Sequence, residues 1–485
     1  MGVSRVLRCS YPRQGLLLAV LLALAAAAAG DSSASASASA SGSTDSSSSS
    51  VPSLSQMDTY DALAIVFMAV GLAVSSAGGV GGGVIMVPAM VLIMSFDIKR
   101  ATPISNMAIL GGAVANAWFN LRKRHPSVDR PLIDPDLALG MIPVVICGTV
   151  IGALINKLLP SYILSILFVI VLAVGGTRTT LKGIRLHKKE MAKKNAAENE
   201  AAEAADIPLS PVYVEVSTPQ ISGGNDVADE KRASLSVNSE VVMTKTPTDE
   251  EGGTEATLAQ ILEQERHFAW AKHAAIMVCY LGVLATSIGD AVVSCGGAAY
   301  WVILLVEIPW VAVFVVLSSP FLYKIYKRKA AVNYPYAEGD IRWTKKTVVF
   351  FPLGCAVAGI VAGMFGVGGG IITGPIMIEL GIVPEVASST TALMILYSSA
   401  AATAKFAVFD MIAWDWAALL CALAFVVTSV SQVVILGFVR RTGRQSIIVL
   451  CISASVLTGT VLMTYEAIKN TIDDAGDPFS VDVCS

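Results

Sequence analysis

Gly78-Gly79-Val80-Gly81-Gly82-Gly83-Val84-Ile85-Met86-Val87-Pro88 reads GGVGGGVIMVP, and five of its first six residues are glycine. It lies inside Ala62–Phe96, a run of 35 residues without a charged side chain. Each glycine costs a helix interior roughly 1 kcal/mol relative to alanine, so the run is not one helix. As one helix it would span ~52 Å at 1.5 Å per residue, against a bilayer core of ~30 Å. Two full crossings would need more residues. The stretch therefore predicts two short helical arms joined at the glycines.

The stretch recurs. Gly366-Val367-Gly368-Gly369-Gly370-Ile371-Ile372-Thr373-Gly374-Pro375 repeats the pattern G-V-G-G-G-x4-P of Gly79–Pro88. Downstream, Ala101–Leu110 aligns with Ala387–Leu396, with one residue of difference in offset between the two blocks. A shared motif with a shared following helix marks an internal repeat.

The rest of the chain fits a membrane protein. Its 485 residues are 54% hydrophobic and 15% charged, with mean hydropathy +0.66, less charge than a soluble protein of this length carries. Net charge is −3, but in a membrane protein its placement matters more than its sum. Apolar helices are expected at about Thr102–Leu121, Leu137–Leu158, Tyr162–Leu181, Phe268–Gly289, Ala299–Tyr323, Ser388–Phe409, Trp414–Phe438 and Ser446–Ile468. The eight cysteines follow neither a zinc nor a disulfide spacing. No metal and no cofactor is expected.

The expected organisation follows. Residues 1–30 read as a secretory signal, with Arg5, Arg8 and Arg13 before the apolar Gly15–Leu24 and the small Ala25–Gly30; an uncleaved anchor is the alternative. Residues 31–58 form a disordered Ser/Ala-rich extracytoplasmic tail. Membrane repeat 1 covers 59–182, a disordered cytoplasmic linker 183–267, a central helix pair 268–329, membrane repeat 2 345–468, and an extracytoplasmic tail 469–485. Lys231-Arg232-Ala233-Ser234 in the linker has the form of a basophilic kinase site, a short motif that also arises by chance.

Lys and Arg favour the cytoplasmic side. Arg122–Arg124, the linker lysines, Lys324–Lys329 and Arg440–Arg444 all fall inside if each glycine segment enters the membrane and returns. Lys99 and Arg100 then fall outside, against the trend. One hairpin enters from outside and the other from the cytoplasm, so the repeats are inverted, as in many secondary transporters. The predicted fold is an all-α polytopic membrane protein: two inverted repeats, each a Gly-rich broken-helix hairpin plus three transmembrane helices, with an extra central helix pair.

The two G-x-G-G-G-x4-P blocks, each followed by a small, Ser/Thr-rich helix, resemble the TauE/SafE sulfite exporter family (4-toluene sulfonate uptake/sulfite exporter-like). The stretch Arg124-His125-Pro126 … Arg130-Pro131-Leu132-Ile133-Asp134-Pro135-Asp136-Leu137-Ala138-Leu139 is similar to the larger eukaryotic, plant-like members. The resemblance covers about 58–182 and 268–468. It implies transport of sulfite, organosulfonates or related sulfur anions.

An anion at mid-membrane needs donors, and a broken helix offers backbone N–H groups at the positive end of its dipole. Gly81, Gly82, Gly83 and Gly368, Gly369, Gly370 are the candidate binding turns, with close helix packing as the alternative role. Pro88 and Pro375 limit or kink the arms. Ser105, Asn106, Thr390 and Thr391 can complete the anion shell, or bond neighbouring helices. Lys405 can attract the anion or snorkel to the outer surface. Glu307 lies within a hydrophobic helix and is a candidate proton carrier. Asp290 and Glu379 sit near segment ends, at the interface.

The function that follows is export of small sulfur-containing anions by alternating access, in a membrane of the secretory pathway, with the bilayer and a small anion as partners and no nucleic acid. An anion channel, and a scaffold or receptor acting through the linker, are the rival readings. An enzyme is not expected: Ile288-Gly289-Asp290 has the form of half of an intramembrane aspartyl protease motif, and no second half exists.

Overall fold

The computed structural model describes residues 59–77, 79, 81–125, 127–205, 249–293, 297–337, 339–442 and 446–473. The expected signal, the Ser/Ala tail, Ser234 and residues 474–485 lie outside them. Thirteen helices and no strand occur among the described residues. Eight of these are long and apolar enough to cross a membrane.

Helix α1 (Thr59–Ala77) leads to the first glycine turn, and α2 (Gly83–Leu92) leads away from it. Helices α3 (Ile98–Asn120), α4 (Pro135–Leu158) and α5 (Ser161–Ala205) follow. Then come α6 (Asp249–Arg266), α7 (Trp270–Val292) and α8 (Ala298–Ala331). The second glycine turn joins α9 (Lys345–Phe365) to α10 (Gly370–Glu379), followed by α11 (Pro384–Val408), α12 (Trp414–Thr442) and α13 (Ser446–Asp473).

Two expectations change. The arms are unequal: α1 has 19 residues and α9 has 21, while α2 and α10 have 10 each. Only the arms after the glycines are short. The linker is partly helical, because α5 continues through Lys193-Lys194-Asn195-Ala196 to Ala205 and α6 covers 249–266. Ala, Glu and Lys are strong helix formers, and charge alone does not keep such a run unfolded.

The packing pairs the elements reciprocally. Helix α4 lies on α9, and its counterpart α12 lies on α1. Helix α3 lies on α12 and α11 on α4; α2 touches α13 and α10 touches α5. The two matched pairs α3–α11 and α5–α13 pack on each other. On the α4–α9 seam, a Cβ at Gly152 or Gly363 would overlap backbone of the facing helix, and Gly148 and Gly359 face each other. Small residues four apart let two membrane helices approach this closely.

The contacts sort loops to two ends of the bundle. At one end Arg124 reaches the carbonyl of Arg266, Lys329 pairs with Glu265, and Glu190 accepts from Ser446. The salt bridge of Lys182 with Glu379 lies toward this end. At the other end Arg100 reaches the carbonyl of Asp410, and Lys157 lies over Phe409. Helix α1 also bonds α12 and α13 through Ser76–Ser431 (2.7 Å) and Ser75–Ser455 (2.9 Å).

Candidate functional site

The two glycine turns have the same backbone. Gly79, Gly81 and Gly82 stand at φ 69°, 88° and 80°; Gly366, Gly368 and Gly369 stand at 65°, 75° and 68°. Left-handed φ is accessible to glycine without a Cβ penalty. Gly82 and Gly369 are the N-caps of α2 and α10, with no side chain capping either. The first N–H groups of an α-helix have no partner within it. The N–H groups of Gly370 and Ile371 donate to no backbone carbonyl among the described residues.

The turns meet at the centre of the bundle. Gly81 lies between Ile109 and Ile395, midway along α3 and α11. A Cβ on Gly83 would overlap the carbonyl of Gly366 and stand 2.8 Å from the Cα of Val367. The flanking contacts are again reciprocal. A Cβ on Gly366 would lie 2.6 Å from the carbonyl oxygen of Thr102; one on Gly79 would overlap the carbonyl of Ser388, the residue aligned with Thr102. Each long arm thus carries its turn past the midpoint, and the short helix after it heads back.

The prolines shape the short helices without ending them. Pro88 and Pro375 sit at their sixth positions, and each helix continues beyond. Pro88 has no N–H for the carbonyl of Val84. That carbonyl faces Gly459 of α13, where no Cβ would fit. The close approach is of the Cα–H to oxygen type found between packed helices.

The predicted polar residues divide. Ser105 donates to the Gly366 carbonyl at 2.9 Å, directly on the second turn. Asn106 donates to the carbonyl of Thr102 at 3.2 Å, beside the same turn. Thr102, fully buried, has a hydroxyl with no hydrogen-bond partner among the described residues. It went unremarked in the sequence because a threonine early on an apolar helix carries no signal of its own. Thr391 points to the sulfur of Met377 on α10, and Thr390 accepts from the N–H of Asp134 in the α3–α4 loop. Thr390 is thus turned away from the glycines.

Lys405 is not on the surface. Its side chain is 0% exposed and pairs with the equally buried Asp290 of α7, while its Nζ lies 3.2 Å from Glu307 Oε2 of α8. A snorkelling Lys405 and an interfacial Asp290 are both corrected by this cluster. The reason is mutual: each charge supplies the partner that makes burying the other tolerable. Lys405 lies ten residues beyond Ile395, ~15 Å along α11 at helical rise. Glu379 is half exposed and faces Lys182.

One end of the bundle carries a second polar cluster. Asp134 caps α4 by accepting from the N–H groups of Asp136 and Leu137. Arg130 pairs with Asp340, and Lys272 with Asp136. His125 is buried there; its Nδ1 accepts from the N–H of Ser127. Burial, with Arg130 nearby, lowers its pKa below the usual 6.5. A cleft of about 480 Å³ opens between α6, the start of α7 and the end of α8. No group of three or more metal-ligating side chains occurs among the described residues.

The model of the family described as "Sulfite exporter TauE/SafE" matches residues 59–212 and 256–458. Sulfite exporter TauE/SafE family protein 3 of Arabidopsis thaliana is 29% identical over 406 residues, covering 83% of this chain and 77% of that protein. Family protein 1 of the same plant is 26% identical, with 85% of each chain covered. No solved structure matches. With both glycine turns and every helix from α1 to α12 inside or overlapping the matched regions, the chain belongs to the TauE/SafE sulfite exporter family.

Proposed function

We propose that this protein carries small sulfur-containing anions, sulfite or organosulfonates, outward across a membrane of the secretory pathway. The observation behind this reading is the meeting of two helix N-termini, α2 and α10, at left-handed glycines in the middle of the bundle. Each brings N–H groups that lack a partner within its own helix, and the positive end of a helix dipole, to one place. The binding residues are Gly81, Gly82, Gly83, Gly368, Gly369 and Gly370, with Ser105, Asn106 and the hydroxyl of Thr102 beside them. Thr391 belongs to the α10 wall of the same site. The names of the plant relatives point to the same substrate class.

We infer that the two halves are inverted repeats working by alternating access. The reciprocal packing of α4–α9 with α12–α1, and of α2–α13 with α10–α5, supports a two-fold relation. The sorting of Arg124, Lys329 and Ser446 to one end supports a cytoplasmic face there, the linker included. In the present arrangement Gly83 packs directly against the Gly366 carbonyl. Rocking one repeat against the other would part them. An inside-negative potential favours anion exit by about 2.3 kcal/mol per charge per 100 mV. Export therefore needs no coupled ion in principle.

The test is flux of labelled sulfite, sulfate and a sulfonate from proteoliposomes holding the full chain. Wild type should release sulfite or the sulfonate, and Gly82→Leu with Gly369→Leu should abolish release. If no labelled anion moves, and the double variant leaves anion binding unchanged, the reading is wrong. Single-channel currents would instead assign a channel.

A further inference from the structure

Three charges are buried together away from the glycine turns. Lys405 of α11 contacts the carboxylate of Asp290 of α7 and stands 3.2 Å from that of Glu307 of α8; their side chains are 0%, 0% and 2% exposed. One ammonium faces two carboxylates, so the fully ionised cluster carries one net negative charge. Asp290 Oδ1 and both Glu307 oxygens have no hydrogen-bond partner among the described residues. The Glu307 oxygen near Lys405 is within ion-pair distance but outside hydrogen-bond geometry.

Two physical costs coincide here. A net charge in a low-dielectric interior is expensive, and so is each carboxylate oxygen without a donor. One added proton removes the first and reduces the second. It cancels the net charge, and the carboxylic acid so formed has an O–H that can donate to a carboxylate oxygen. Among the described residues no second cation faces the two carboxylates. The other titratable groups in electrostatic range are Cys147 of α4 and Cys279 of α7. Tyr280 and Tyr397 lie on the same α7–α11 seam, with the Tyr280 hydroxyl itself unpartnered. No further charge from α3, α9, α10 or α13 faces Glu307 among the described residues.

We propose that Asp290, Glu307 and Lys405 form a proton-binding site that holds one exchangeable proton on its carboxylate pair, and that this proton is released and regained with each anion carried. The coupling half rests on the transport reading above; the binding half does not. The link between the sites is α11, a continuous helix with Ile395 on the glycine turn and Lys405 in the cluster. Losing the proton leaves two carboxylates that repel one another across the α7–α8 contact, and a net charge that favours entry of water. Regaining it removes both.

The experiment has two arms, both on the full chain. Thermal unfolding in detergent is followed from pH 5 to pH 9 for wild type and Glu307→Gln. The unfolded chain releases its carboxyl protons near ~4.3. A folded state that keeps one proton loses stability as pH rises, about tenfold in the unfolding equilibrium per pH unit. Glu307→Gln, isosteric and neutral, should remove this slope; an unchanged slope overturns the site. Asp290→Asn serves the same purpose if Glu307→Gln does not fold. In the second arm, vesicles carry a pH-sensitive dye and a labelled sulfonate, whose charge is constant over this range. Wild type should move protons with the sulfonate, and in Glu307→Gln this proton movement should be lost. Equal proton movement in both overturns the coupling. A wild type that moves no anion overturns the transport reading, and the unfolding slopes still decide the proton site.

Discussion

Gly366 combines a left-handed backbone with a carbonyl 2.6 Å from where a Cβ would stand. Alanine there carries a left-handed penalty of roughly 1–2 kcal/mol. Overpacking adds about 1–3 kcal/mol. Gly374, on the neighbouring α10, has ordinary φ and no atom within 4 Å of that position. Gly366→Ala should therefore lower the melting temperature and the flux strongly, and Gly374→Ala should leave both near wild type. Equal effects would mean that the turns are not tightly specified. At His125 the sign of a pH effect follows from burial. The folded imidazole is held neutral, its pKa lowered, while the unfolded chain protonates below about 6.5. Stability at this loop is thus complete above 6.5 and is lost as pH falls toward the folded value. Amide protection factors across 121–134, corrected for the intrinsic exchange rate at each pH, should fall on acidification below 6.5 in wild type, and this fall should shrink in His125→Gln. The glycines were legible because the motif is local and appears twice. The cluster was not: Lys405 and Asp290 are 115 residues apart. Each reads alone as a charge near the end of its segment. Only the packing of α11 on α7 shows that they neutralise one another.

Among the elements, the α4–α9 crossing is the closest described. Gly148 and Gly152 on one helix face Gly359 and Gly363 on the other, with backbone against backbone. Gly363→Leu should force the helices apart and leave little folded protein after detergent extraction, read as loss of a monodisperse peak on size exclusion. The polar contacts between helices are weaker individually. Asn116 of α3 accepts from Gln432 of α12 at 2.6 Å, and Gln432 also accepts from Lys123 at 2.9 Å. Bonds of this kind average about 0.6 kcal/mol in membrane bundles. Asn116→Ala should therefore lower the melting temperature by a few degrees without loss of folding. Helix existence and type followed from hydropathy for the apolar segments, but not for α6, which lies in the stretch read as a disordered linker. Lengths followed less well where composition is charged, as in the tail of α5, because helix propensity of Ala, Glu and Lys persists after hydrophobicity has ended.

For the whole molecule, the side from which each glycine hairpin enters decides how the two halves are related. The sequence supplied the pair of motifs and the charge pattern, and neither gives the depth of the turns. The packing adds that each long arm passes the bundle midpoint, since Gly79 meets α11 near its start and Gly366 meets α3 near its start. Inverted repeats then require the loop after α2 and the loop after α10 to lie on opposite sides. Ser95 and Leu380 stand in these loops, and both are exposed. Among the described residues the native cysteines are Cys147, Cys279, Cys355, Cys421 and Cys451, all buried or half-buried. With Cys9, Cys295 and Cys484 replaced by serine, single Ser95→Cys and Leu380→Cys variants can be probed in sealed vesicles with a membrane-impermeant maleimide. In vesicles with the extracytoplasmic face outward, Ser95→Cys should label at once. Leu380→Cys should label only after permeabilisation, together with Asp129→Cys as the marker of the basic end, proposed above as cytoplasmic. If Leu380→Cys labels with Ser95→Cys, both hairpins enter from the same face. The repeats would then be parallel, alternating access by rocking inverted halves would have no structural basis, and the two helix N-termini would have to serve a different path.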